Sequence, residues 1–372
     1  MDTSMNTSIM LLLLVAMIPI VGILMALTPY LMKKSECFAV TVPEMALDDP
    51  YLKRLKQHYL IIVLVVTLLV TVLNVIAALT GNELSLVLLF TVGIFVVIVV
   101  SYGLMLRNRS KVRRYKQEQG WTSTGQAAVA VVSETATPKA ISLKWNLLYI
   151  PIIALTLLIG FFGYDAMPQQ IPMQTGFDGE VTRTVAKNFT IIILPAMIQA
   201  FFAVCLFFSH WMIIRSKRQP NPSAPASSSL AYGMFAHAQS MYLLALGLVL
   251  CALMMMFPFS FIGVVTLMQG GILVMVAVFV AILGAVAISV VYGQGGARVM
   301  ARIQSAQTMP SDDDQYWKLG VFYVNSDDPS LFLLERFGVG WTFNFGRPAV
   351  WVIFGLVAVV TAAFIAAIFA LT

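Results

Sequence analysis

The sequence predicts an all-α polytopic membrane protein, about eight transmembrane helices with a small cytoplasmic β-hairpin or ribbon element. Three observations lead there. Hydrophobic residues make up 59% of the chain and charged residues only 11%, too little polar surface to wrap a soluble globule of 372 residues. Apolar runs able to cross a hydrocarbon layer of ~30 Å recur at about 9–32, 59–80, 84–106, 146–163, 189–213, 238–257, 261–292 and 349–371. Between the last two runs, Asp312 to Pro348 mixes Trp, Gly, Asn, Asp and Arg at turn spacing.

The first run is expected to span and not to be a cleaved signal. No Lys or Arg precedes it and no small-residue cleavage site follows. Short turns, Gly81–Glu83 and Pro258–Ser260, are expected after the second and sixth runs. Arg107–Gln119 reads as a helical extension of the third run with its cations at lipid headgroups, Gln126–Val132 as a short strand, and Pro220–Ser229 as a flexible linker. The seventh run is too long for one straight crossing, and Gln269-Gly270-Gly271 predicts tilt, a kink or an interfacial lead-in there.

In the polar insert, Lys318–Val324 and Gly340–Phe345 are rich in aromatic and β-branched residues, with the turn cluster Asn325–Pro329 between them, which predicts a hairpin. Gly338 and Gly340 sit where a tight reversal is needed between Leu331–Leu334 and Trp341–Phe345. An isolated two-stranded hairpin is marginal in water, so Trp317, Phe322, Phe337 and Phe343 must pack on something. Phe38–Pro43 and Gln126–Val132 are the expected neighbours, with Arg336 paired to Asp327 or Asp328.

Charge sets the expected orientation. Of the 23 Lys and Arg residues, all but Arg183 and Lys187 follow an odd-numbered run. Cations are retained on the cytoplasmic side, so both termini and the loop 164–188 are expected outside and the insert inside. The expected organisation is four helices with basic cytoplasmic loops in 1–163, the external loop 164–188, three helices in 189–292, the β-element in 293–348 and the last helix in 349–372.

Chemistry is sparse. No Asp, Glu, Lys or Arg falls inside a span core, which argues against a proton- or ion-coupled carrier. Asn74, Gln199, His210, Gln239 and Gln269 are the polar exceptions, and His210 reads as an interfacial residue beside the Arg215 cluster. Cys37, Cys205 and Cys251 are too scattered for a disulfide framework or a metal site. Asp312–Asp314 lacks calcium-loop spacing and reads as a solvated turn or helix cap. No hydrolase or phosphate-loop motif is present. The expectation is therefore no enzyme, no cofactor, no metal and no nucleic acid, since cations beside spans are what topology demands. Gly293-Gln-Gly-Gly reads as a helix end. In the outer loop, Pro168 and Pro172 stiffen an extended run and Gly176 and Gly179 allow tight turns. A rigid connector is the plainer reading, and a surface shaped for a ligand is the other.

At this loop the chain resembles the bacterial membrane family of the domain of unknown function numbered 1648, shared with SdpI-type immunity proteins. Met167-Pro168, Ile171-Pro172, Gly179 and Lys187 match its pattern, while Gln174 stands where the family has His and Thr175 where it has Phe. Phe38–Pro43 is similar to a segment of related proteins, with Ala39 in place of Gly. The insert resembles a second family of unknown function, numbered 5808, through Tyr316, Trp317, Lys318, Gly320, Tyr323, Asn325, Asp327, Asp328 and Pro329, and through Arg336-Phe337-Gly338, Gly340-Trp341-Thr342 and Asn344-Phe345-Gly346. The resemblance implies a bacterial plasma-membrane protein of the immunity or signal-sensing type. Its external site would be Tyr164, Pro168, Ile171, Pro172, Gln174, Gly179 and Lys187, facing a secreted peptide toxin, and its cytoplasmic element would meet a protein partner. A membrane-embedded enzyme or carrier for a lipid or quinone, or a structural subunit of a membrane complex, are the rival readings. Beyond the lipid bilayer, oligomeric state stays open.

Overall fold

The computed structural model describes residues 3–371 apart from 34, 44, 45, 47, 123–136, 178, 218–223 and 304–311. Eight helical segments among them are long and apolar enough to cross a membrane. Helices α1 (Thr3–Leu31), α2 (Pro50–Leu79) and α3 (Glu83–Glu118) form one antiparallel group. A second group holds α4 (Tyr149–Phe162), α5 (Thr190–Arg215) and α6 (Pro225–Met254), followed by the short α7 (Met256–Ile262). Helix α8 (Leu267–Tyr292) packs on both α1 and α6 and so joins the groups. The short α9 (Ala297–Ile303) follows it, and α10 (Pro348–Leu371) lies against α5.

Small residues let these helices approach closely. A Cβ on Gly22 of α1 would fall 2.1 Å from Thr67 Oγ1 of α2, and one on Gly160 of α4 would fall 2.6 Å from Ile192 of α5. Hydroxyls in the apolar layer bond back to their own helix: Thr67 Oγ1 donates to Val63 O and Thr156 Oγ1 to Ile152 O. Of the polar residues in the spans, Asn74 is used the same way, while Gln199 bonds across to other helices. Asn74 donates to Val70 O at 2.9 Å, and Gln199 donates to Thr156 Oγ1 and Cys251 O, tying α5 to α4 and α6.

Several boundaries differ from expectation. The seventh span does not bend at Gly270-Gly271. The break comes earlier, where Gly263 takes a left-handed φ of 84° and Thr266 opens α8 through a capping box with Gln269. Pro258–Ser260 accordingly lies inside α7 and is not a turn. Pro225 occupies the first turn of α6, so the second half of the expected linker Pro220–Ser229 is helix; its residues 220–223 and the expected strand Gln126–Val132 lie outside the described residues. Helix α3 does continue through residues 107–118, but Arg109 and Lys116 are buried in it and are not at headgroups. Gly293 caps α8, as expected of the Gly-rich patch.

The strands are short and pair locally. Strands β1 (Glu36–Cys37) and β2 (Val40–Thr41) close over Phe38 and Ala39, both with positive φ. Strands β3 (Gln170–Thr175) and β4 (Val181–Ala186) form a hairpin with register shifts near Gln174. In the insert, β5 (Trp317–Lys318) pairs with β6 (Phe322–Tyr323), and β7 (Phe332–Leu334) with β8 (Trp341–Phe343). The expected single hairpin between 318–324 and 340–345 is therefore two hairpins, linked by one parallel bridge, Tyr323 to Asn344. Leu319 and Gly320, at φ of 50° and 78°, turn β5 straight back onto β6, which takes the pairing that β8 was expected to have. The reversal expected at Gly338 is present, at φ 127°.

Candidate functional site

One face of the bundle carries the β3–β4 hairpin, and the opposite face carries the α3 extension and the β5–β8 layer. On the hairpin face, Tyr164 stacks on Phe189 with centroids 4.1 Å apart, and Lys187 Nζ lies 4.7 Å over the Tyr164 ring. The same ammonium donates to Met167 O at 2.9 Å, closing the hairpin base. Ile171 is fully buried with Met167, Ile191, Ile192 and Phe261, so it holds the hairpin down and offers nothing to a ligand. Pro168 and Gln174 are exposed, Pro172 faces Thr184 across the ladder, and Gly179 turns the tip at φ 85°. Thus Tyr164, Ile171, Pro172 and Lys187 gather at the base, while Gln174 and Gly179 lie out toward the tip.

The tip reaches across to the first helical group. Phe177 O accepts from Thr7 Oγ1 of α1 at 2.7 Å, and Phe177 N donates to Glu83 Oε1 of α3 at 2.7 Å. Sequence reasoning missed this latch, because residues 170 and 94 positions apart carry no local signal. Beneath the hairpin a purely apolar groove of about 550 Å³ runs between α4 and α5, lined by Leu157, Leu158, Phe161, Phe189, Ile192 and Ile193 among others.

The opposite face is closed by buried ions. Asp314 accepts from Thr41 N at 3.0 Å, Thr41 Oγ1 at 2.8 Å, Lys116 Nζ at 2.8 Å and the Arg336 guanidinium. Arg336 also donates to Asp313 and lies 5.1 Å over the Trp317 ring. Arg109 donates to Ala39 O and to Trp317 O. Burial alone would push the Asp314 carboxyl up, but Arg336 and Lys116 beside it hold it well below the usual carboxylate range. Glu36, fully enclosed at the rim, is pushed up by burial despite Lys33 and Arg336 nearby.

Two expectations fail here. Arg336 does not pair with Asp327 or Asp328, because Asp328 is taken by Lys217 Nζ at 2.6 Å and the Tyr323 hydroxyl at 3.0 Å. Burial opposes ionisation of Asp328, yet Lys217 and the Ser330 N–H bring it down to about 2. The run Asp312–Asp314 is no solvated turn, since Asp314 is buried at the centre of the cluster. His210, near the Arg215 end of α5, is fully buried between Asn146 Nδ2 and Ile141 O, both at 3.0 Å.

The remaining residues singled out in the insert mostly build the layer. Asn344, fully buried, donates to Asn325 O, Asp328 O and Ser330 O and accepts from Asn325 N, clasping the turn between the hairpins. Gly320 packs where a Cβ would meet Ala39 at 3.2 Å. Trp341 stacks on Phe235 of α6 at 5.3 Å. Gly340 is gripped through both N–H and C=O by the side chain of Gln294, which also holds Glu335 O. Pro329 is exposed, and Gly338 forms the reversal beside Glu335.

Residues 152–198 match the family model described as Domain of unknown function (DUF1648), and residues 326–351 match that described as Family of unknown function (DUF5808). Both resemblances hold. The DUF1648 segment covers α4 from Ile152, the β3–β4 hairpin and the start of α5. The DUF5808 segment covers β7, β8 and the first residues of α10, and leaves Tyr316–Asn325 outside the match. No curated protein and no solved structure matches the chain.

Proposed function

We propose that this is a bacterial plasma-membrane protein of the immunity or signal-sensing type. In this reading the DUF1648 hairpin faces outside and meets a secreted peptide, and the β5–β8 layer faces the cytoplasm and meets a protein partner. One observation carries it: the same two helical groups are tied together on both faces. Outside, Phe177 bridges from the second group to Thr7 and Glu83 of the first. Inside, the β-layer joins Thr41 and Lys116 of the first to Lys217 of the second. A ligand that favours one arrangement of the hairpin then biases the other latch, which is the minimum that coupling across a membrane requires.

Deleting the gene is expected to sensitise cells to a secreted peptide toxin, and restoring the full chain to reverse it. Restoring it with residues 170–186 replaced by a Gly/Ser connector is expected to fail. A deletion strain that stays as resistant as its parent to every secreted peptide tried removes the reading.

A further inference from the structure

We propose that the free edge of β4 is a docking strand for an extended peptide bearing a carboxylate, which adds to the hairpin as a third strand. This rests on the functional reading above and names the chemistry of its external partner.

The ladder shows which groups are on offer. Lys187 N donates to Gln169 O at 2.9 Å, which makes that pair a hydrogen-bonded one. Bonded and open pairs alternate in an antiparallel ladder, so Ile171–Val185 is the next bonded pair, while Gln170–Ala186 and Pro172–Thr184 are open. Pro172 suits an open position because it has no N–H to give. The consequence is that Thr184 and Ala186 turn their N–H and C=O groups away from β3, toward the outer edge of β4.

The two edges of the hairpin are not equivalent. Strand β3 lies against α8, and Pro172 removes a donor from its outer side. Strand β4 has neither protection, and all of its residues except Val185 are exposed. An unblunted edge of this kind is the template that strand addition uses.

Charge selects the occupant. Arg183 is the single charged residue of β4, is exposed, and meets no carboxylate among the described residues. The neighbouring Lys187 is already anchored on Met167 O and the Tyr164 ring. A carboxylate on the incoming strand opposite Arg183 completes a cross-strand pair. A second copy of this chain brings no such group, since Val181–Ala186 contains no acid and would add a second Arg183. The inner side chains, Ile171 and Val185, face the apolar cluster, so apolar residues at alternate positions of the added strand continue that face.

The test uses the full chain in phosphatidylcholine nanodiscs and a capped octapeptide, Val-Thr-Glu-Thr-Val-Thr-Val-Thr, which sets Glu and Val on the one face shared by Arg183 and Val185. The controls are copies N-methylated at alternate amides, one in each register, and a copy with Gln for Glu. The octapeptide is expected to slow hydrogen exchange at the Thr184 and Ala186 amides; the copy N-methylated on the amides that face β4 is expected not to, and the copy N-methylated on the outward amides is expected to keep the protection. Arg183→Gln should weaken the Glu peptide about five-fold and leave the Gln peptide unchanged. Thr184→Pro, which deletes an outward donor and leaves the β3–β4 ladder intact, should weaken both at least ten-fold. No protection at millimolar peptide, equal binding of both N-methylated registers, or protection that follows protein concentration in place of peptide would each overturn the docking mode. Thr184→Pro chains that still protect cells overturn it too while leaving the functional reading standing, whereas loss of the deletion phenotype removes that reading alone.

Discussion

Asp314 shows how one side chain can organise a membrane protein's polar face. Its two oxygens meet Thr41 on β2, Lys116 on α3 and Arg336 beyond β7, three segments distant in sequence. Taking such ions out of water costs several kcal/mol each, a cost offset only because the partners fill one another's hydrogen-bonding positions. Asp314→Asn leaves Arg336 and Lys116 undercompensated, so we expect a loss of about 3–5 kcal/mol, read by chemical unfolding in detergent. An unchanged unfolding midpoint would show that the cluster contributes nothing. The pH dependence has a definite sign. A carboxyl held below its unfolded value contributes stability that is complete above about pH 4 and fades as the pH falls further. Glu335 is the opposite case. Burial pushes it up to about 7, and no hydrogen bond or ion pair offsets this among the described residues. The folded chain therefore holds this proton more tightly than the unfolded chain does, and stability falls as pH rises from about 4.3. Between pH 5 and pH 8 we expect the wild type to lose on the order of 1–2 kcal/mol, a figure reduced for partial solvent screening, and Glu335→Gln to lose none of it. Parallel slopes for the two proteins would contradict this.

At the scale of elements, strand identity was more legible than strand pairing. Aromatic and β-branched residues mark β6 and β8 in the sequence, but which strand each one meets depends on the turn at Leu319 and Gly320 and on Asn344, a side chain that bonds back across 14 to 19 positions. The same holds for Gln294, which in sequence belongs to a Gly-rich helix end and in space supplies three hydrogen bonds to the β7–β8 reversal. Gln294→Ala strands those backbone groups without their partner, so about 2–3 kcal/mol should be lost. The loss should be local: hydrogen exchange at 335–341 accelerates while α1–α3 keep their protection. Acceleration spread evenly over the bundle would mean that the layer and the helices unfold as one unit.

For the whole molecule, the number of spans was readable because an apolar run of fixed length is all that a bilayer asks of a helix. Their lateral arrangement was not. Lipid-facing and helix-facing sides are equally apolar here, so no amphipathic stripe distinguishes them, and the contacts rest on small features such as Gly22 against Thr67. Orientation rests on charge. With eight crossings both ends of the chain lie on one side, and every cation except Arg183 and Lys187 belongs to the opposite side. Moving those loops across an energised membrane would oppose the cation-retention bias, so the β5–β8 layer is expected inside and the β3–β4 hairpin outside. The expectation is tested in a background lacking Cys37, Cys205 and Cys251, with single cysteines at two exposed positions, Thr182 on β4 and Lys318 on β5. An impermeant maleimide should label Thr182→Cys in intact cells and Lys318→Cys only after the membrane is opened. Labelling of Lys318→Cys in intact cells would invert the molecule, and with it the side from which any peptide could reach the hairpin.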